Sequence, residues 1–166
     1  MLLALDLGLL CGWSLWTREG RYLASGVWQF GRDKTRDRGD EFLLRVLAKV
    51  QANKVRCIAY EHIASLHQHA SADAAHLFGG WLMVLGIVAS RTRAELQRIQ
   101  QPEVYAASGI KKAGPKAFPD KNLRRQENKR RLIEAARARW PRVSDDNEAD
   151  ACFVAQAAMT QRTGAT

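Results

Sequence analysis

Cysteine is scarce in this chain of 166 residues: Cys11, Cys57 and Cys152 are the only three, an odd number set far apart with no C-x-x-C spacing. That argues against a disulfide framework and a cysteine zinc site, and makes a reducing cytoplasm the expected location. Long hydrophobic runs are missing too. The longest weakly polar stretch, LFGGWLMVLGIVAS at 77–90, has 14 residues, against the roughly 20 that a bilayer-spanning helix needs. It is expected to be a buried core helix, and no membrane is expected as a partner. The opening MLLALDLGLL has no basic flank and is interrupted by Asp6, unlike a signal peptide. No repeat or low-complexity segment is visible. With 46% hydrophobic and 26% charged residues the chain can bury a core of its own, and its length fits a single domain, 1–166.

Acidic residues are the minority charge, 17 against 26 Lys and Arg, for a net +9. Residues 111–142 alone hold twelve cations and three acids, a surplus equal to that of the whole chain. A basic block confined to one part of a domain is the footprint of phosphate binding, with a solvated helix face as the plainer alternative. Phe118 and Trp140 apart, it lacks interleaved aromatics, which disfavours an acidic membrane surface.

Along the chain, residues 1–7 form an apolar run broken by Asp6, and 12–17 and 21–30 alternate around a turn at Glu19-Gly20. Together they predict a three-stranded antiparallel meander. Helical spacing follows at 40–51, a buried strand at 55–60 that ends at Glu61, and a long helix at 70–93. Gly79-Gly80 in that helix suggests a close backbone approach. A short strand at 96–101 leads into a helical turn opened by Pro102. Residues 109–119 are expected to form a mobile lysine-bearing loop, 122–140 a basic amphipathic helix ended by Pro141, and 145–161 a helix with acids in its first turn. Strands first, then helix alternating with strand, give an α/β fold with a mixed five-stranded sheet flanked by helices.

Asp6, Glu61 and the pair Asp146/Asp150 come from three segments, each at a strand end or in a first helical turn. Asp146 and Asp150 are four apart and share a helix face. If the first and fourth strands are neighbours and the last helix packs across them, four carboxylates meet. Such hard oxygen ligands suit Mg²⁺ or Mn²⁺, and a pair of ions about 4 Å apart assists phosphoryl transfer. For Asp6, in an apolar run, burial of an unpaired carboxylate would otherwise be costly. Asp145, Asp146 and Glu148 also admit a simple role as acids at a helix N-terminus.

The ordered set LALDLG, AYEH, a long helix with Gly-Gly, IKKAG and DDNEADA resembles the RuvC-type Holliday junction resolvases of the RNase H-like superfamily, closer to the short phage branch. The resemblance runs from residue 1 to about 161. It implies an RNase H-like fold, a homodimer acting on two strands of a four-way DNA junction, and hydrolysis dependent on two Mg²⁺ ions that leaves 5′-phosphate and 3′-hydroxyl ends. On it, Asp6, Glu61 and Asp150 match the first-strand, central-strand and last-helix acids. Asp146 takes the fourth place, with Asp145 as outside candidate, because the bacterial offset falls on Asn147. The resemblance further implies lysines near the scissile phosphate, at Lys111 or Lys112 and at Lys129 near the start of the basic helix. Lys116, Arg124, Arg125 and Arg130 are expected as DNA contacts, and Leu66, after the central Glu, as the apolar wedge at the junction centre. The long helix would supply the dimer contact.

His62, His67, His69 and His76 lack the spacing of a zinc set. Trp13, Trp16, Trp28 and Phe30 are spaced for sheet packing rather than base stacking, and Leu77, Trp81, Leu85 and Val88 for a core stripe. The expected function is a metal-dependent endonuclease that resolves junctions. The rivals are a nuclease of the same fold acting on forks, flaps or RNA–DNA hybrid, and a non-catalytic junction binder, which would gain nothing from acids that repel phosphate.

Overall fold

The computed structural model describes residues 1–31, 37–62 and 72–163. Three antiparallel strands open the chain, β1 (Leu2–Asp6), β2 (Leu10–Trp16) and β3 (Tyr22–Gln29), and α1 (Asp37–Ala52) follows. Then come β4 (Cys57–His62), α2 (Ala72–Thr92), β5 (Glu95–Gln100), α3 (Gln101–Ser108), α4 (Lys121–Arg139) and α5 (Asp146–Thr163). The sheet order is β3-β2-β1-β4-β5, with β4 parallel to both β1 and β5. The meander and the parallel strands agree with the sequence reading. One boundary matters for function: β4 runs on to His62, so Glu61 lies within the strand, paired with Ile99, rather than after it.

Alternation along the strands sorts the core into two layers. Leu3, Leu5 and Ile58 face α1 and α2, where Phe42, Val46, Trp81, Leu85 and Val88 are buried. Leu2, Ala4, Cys57 and Ala59 face the other side and pack with Phe153, Leu132 and Trp140 of the C-terminal helices and the turn after α4. Leu5 pairs with Tyr60. The next residue on each strand, Asp6 and Glu61, therefore turns toward the C-terminal helices at the same end of the sheet. Parity alone aims both carboxylates one way.

The helix α5 lies close on the sheet because its inner face is built of Ala149, Ala151, Ala155 and Ala158. Its first turn comes nearest at Gly12, the partner of Asp6 in the β1–β2 pairing. A Cβ on Gly12 would stand 1.9 Å from the Asn147 carbonyl oxygen, so only glycine fits there. A polar clamp holds the same corner. Glu148 is buried, accepts from the Ser144 backbone N–H and hydroxyl, and accepts from Ser25 on β3. Trp13 stacks on Trp28, and Trp16 meets Trp140 edge-on, in keeping with their expected packing roles.

Three expectations need correction. First, the helix around 77–90 extends over 21 residues and is long and apolar enough to cross a membrane by length and composition. Its packing, not its length, marks it as a core helix here, with Phe78, Trp81, Leu85 and Val88 turned onto the sheet. Second, a Cβ on Gly79 or Gly80 would meet open space, so no close approach among the described residues requires those glycines. Third, the loop before α4 is fastened rather than free: Ala113 N–H donates to Asn128, Arg131 to the Lys111 carbonyl and Arg124 to the Phe118 carbonyl. Asp120 then caps α4, accepting from the N–H groups of Asn122 and Leu123.

Candidate metal and nucleic-acid site

The acids meet at the end of the sheet to which strand parity points Asp6 and Glu61. Asp6 ends β1, Glu61 lies in β4, and Asp146 and Asp150 stand one turn apart on α5. Burial pushes the Asp6 carboxyl up to about 8, and the charges of Glu61, Asp146 and Asp145 add to the rise while Lys129 opposes it. Asp150 is raised well above the ordinary range by burial and then by Asp6, Glu61 and Asp146. Glu61, 8% exposed, is raised by burial and eased by a hydrogen bond from Gln101 and by the Lys112 charge.

The first turn of α5 settles which acid does what locally. Asp145 is the cap: its Oδ1 accepts from the Asn147 backbone N–H and from the Asn147 side chain. Glu148 faces β3. Asp146 is left toward Asp6 and Asp150, ion-paired with Lys129. Among the described residues no three His, Cys, Asp or Glu side chains are already drawn into a closed ion cage. The carboxylates are nonetheless near enough to hold one another's protons on, a mutual repulsion that a divalent cation relieves. The donor set is all oxygen, as Mg²⁺ or Mn²⁺ requires.

Beside the two α5 acids opens a cleft of about 630 Å³, whose lining does not include Asp6 or Glu61. Asp146 and Asp150 line it together with Lys112, Lys121, Arg124, Arg125 and Lys129. Five cations beside two partly buried carboxylates make a surface that attracts a polyanion.

No family model and no curated relative matches the chain. Solved structures do. The RuvC of T. thermophilus in complex with a Holliday junction substrate superposes with a TM-score of 0.74 at 15% identity, over 98% of this chain and 95% of that one. A second structure of Thermus thermophilus RuvC gives 0.69 at 16% identity, over 98% and 96%. The fold is that of RuvC. It is an RNase H-like α/β fold with its mixed sheet between two helical layers. The yeast mitochondrial Holliday junction resolvase Ydc2 is also similar, with a TM-score of 0.55 at 14% identity, over 98% of this chain and 78% of that one.

Within this RuvC fold the expected DNA contacts separate. Lys112 lines the cleft, whereas Lys111 and Lys116 are exposed outside its lining. Arg124 and Arg125 line it; Arg130 instead bonds Glu127 and Glu134 along its own helix. Glu127 accepts from both Arg130 and Arg131, which holds its carboxyl down at about 2. Arg137 and Arg139 bond carbonyls of the 143–144 and 107–108 segments. The basic block is therefore partly structural scaffolding. Lys129 stands in the third turn of α4, not near its start, because the helix begins at Lys121. Leu66, His67 and His69 lie outside the described residues.

Sequence reasoning missed Gln101 and Tyr105, which line the cleft from α3. The available signal was their spacing, four apart on either side of Pro102 and on one helix face, just after a strand that runs parallel to the Glu61 strand.

Proposed function

We propose that this protein is a metal-dependent endonuclease that resolves four-way DNA junctions by paired strand nicking, acting as a homodimer in the cytoplasm. The observation that carries the reading is the meeting of Asp6, Glu61, Asp146 and Asp150 at one end of the sheet, where Asp146 and Asp150 line a cleft walled by five cations. A binding module would gain nothing from acids that repel the phosphates its lysines attract. The fold likeness supports the junction as substrate, since one similar structure is a RuvC bound to a Holliday junction and another is a Holliday junction resolvase.

Asp6, Glu61, Asp146 and Asp150 would hold two Mg²⁺ or Mn²⁺ ions. When bound, such ions lower the pKa of a coordinated water and stabilise the attacking and leaving oxygens of phosphodiester hydrolysis. The chain's own groups do the rest. Lys121, Arg124 and Arg125 grip phosphates that flank the scissile one, and Lys112 and Lys129 offer ammonium groups to its non-bridging oxygens, where charge develops. Burial of Asp6 and Glu61 keeps bulk water from the floor of the site. Gln101 orients the Glu61 carboxylate through its hydrogen bond.

A second copy of the chain fits the outer face of α2. Met83 is 66% exposed there and Ile87 37%, and Gly79 and Gly86 beside them leave room for another backbone. Symmetric nicking needs two such sites facing opposite strands.

The test is cleavage of a labelled four-way junction beside matched duplex, fork, flap and RNA–DNA hybrid, in Mg²⁺, Mn²⁺ or EDTA. Paired symmetric nicks on the junction alone, lost in EDTA, are expected. Preferential cutting of forks, flaps or hybrid would transfer the same site to another substrate. Tight junction binding without cleavage in either metal would reduce the protein to a binder.

A further inference from the structure

Tyr105 stands between the acids and the basic wall. It lies one turn after Gln101 on α3, half-buried, and both line the cleft. Gly109 ends α3 in the left-handed conformation (φ +70) and turns the chain, and three residues later Lys112 comes back over the helix. The Lys112 ammonium sits 3.7 Å from the centroid of the Tyr105 ring, a cation–π contact. From there its charge reaches Glu61. The phenol is itself pushed up to about 12 by burial and by Asp150 and Glu61, so at neutral pH the ring is uncharged.

A lysine at the rim of a cleft has a long, freely rotating stem, and fixing it on a phosphate costs rotamer entropy at the moment of binding. A ring beneath the ammonium meets that cost in advance. The ammonium keeps its upper side open to an anion while its lower side rests on the aromatic face.

We propose that Tyr105 is a positioning residue for phosphodiester binding: its ring holds the Lys112 ammonium over the acid cluster, so that the strand to be cut meets a preset cation. This rests on the nuclease reading above. It adds to that reading a residue which itself bears no charge toward DNA or metal.

The experiment measures equilibrium binding of a labelled four-way junction in EDTA, where no cutting occurs, for the wild type, Y105F, Y105L, K112A and the double variant Y105L/K112A. Y105L is expected to weaken binding by about threefold to fivefold. The salt slope should stay near the wild-type value in Y105L, because the charge remains, and fall by about one in K112A. The double variant should bind no worse than K112A, and Y105F, which keeps the ring, should recover most of what Y105L loses. NMR of the wild type gives a view independent of DNA: the Lys112 side-chain protons nearest the ring should be shifted upfield, and Y105F should keep that shift.

Additive losses in the double variant, unchanged affinity in Y105L, or Y105F as weak as Y105L would each overturn the proposal. If Y105L does not fold, an unshifted Lys112 in the wild type does so alone. Wild-type protein that binds none of the branched DNAs would instead overturn the nuclease reading itself, a result distinct from all of these.

Discussion

The Lys129 ammonium on α4 is ion-paired with the Asp146 carboxylate on α5, so in the metal-free protein a lysine supplies the positive charge that the acid cluster lacks. Asp6 and Asp150 feel the same ammonium, which opposes the rise of both carboxyls.

On the proposed reading, Lys129 would compete with a divalent cation for Asp146. Lys129→Met is expected to tighten Mn²⁺ binding by up to about fivefold, the range of a partly exposed ion pair, measured by calorimetry at pH 8.5. The same variant should cut junctions at least about tenfold more slowly, through loss of a cation beside the developing charge. Weaker Mn²⁺ binding would show that the lysine organises the site rather than occupying it.

Asp6 gives a pH dependence whose sign is fixed by the direction of its shift. Its carboxyl is raised from 3.8 to about 8, so the folded chain keeps a proton that the unfolded chain has released. Without metal, stability from this group is complete below pH 4, is lost as pH rises toward 8, and is flat beyond. Asp150 and Glu61, also raised, act in the same sense. Asp6→Asn should be more stable to unfolding than the wild type at pH 8 without metal, by on the order of a few kcal/mol, and the two should converge at pH 4. It should bind junctions and not cut them; cutting at the wild-type rate would remove Asp6 from the site.

Gly12 is a distance constraint. Gly12→Ala places a methyl group on the Asn147 carbonyl, and overpacking of this kind costs about 1–3 kcal/mol. Since α5 carries Asp146 and Asp150, its displacement should also reduce cleavage on the order of a hundredfold at temperatures where the variant is fully folded. Circular dichroism alongside cleavage separates the two effects, and full activity in a destabilised variant would detach the helix position from the chemistry.

Among the basic residues, position in the cleft should predict DNA contact better than charge. Replacement of Arg124 and Arg125 together by Ala is expected to lower the salt slope of junction binding by about two. Arg130→Ala should change it little, because that guanidinium already serves Glu127 and Glu134. Equal slopes for the two variants would mean that the α4 ion pairs open on DNA.

Met83→Glu, on the exposed face of α2, is expected to leave the chain folded and monomeric by sedimentation. Junction nicks should then become unpaired, with single-strand cuts in place of resolution. A variant that sediments unchanged from a dimeric wild type would move the dimer contact elsewhere.

Much of this site was legible because its signals are local. A carboxylate in an apolar strand, as at Asp6, has few structural explanations, and two acids four apart on a helix share a face. The meander and the parallel strands followed from the same logic, whereas the adjacency of β1 and β4 entered only as a condition that the structure meets. What stayed hidden depends on which of several available partners each side chain takes, some distant in sequence and some one helical turn away. Gln101 and Tyr105 are ordinary helix residues until β5 carries them to Glu61. Arg130 counts as a free cation until Glu127 and Glu134 are placed one turn away on either side. Asp145 and Asp146 are indistinguishable in sequence, and only the cap geometry assigns one to Asn147 and leaves the other to Lys129.

The shared parity of Asp6 and Glu61 also acts during folding. A slip of one residue in β1 or β4 would turn a carboxylate into the apolar layer of Phe42, Trp81 and Leu85, where burial of its charge is costly. The acids thus penalise every odd-numbered misregistration of the two central strands, in a sheet whose apolar residues alone, Leu on both faces of β1, would tolerate the error. The same two side chains that make the metal-free site unstable proofread the strand pairing on which it is built.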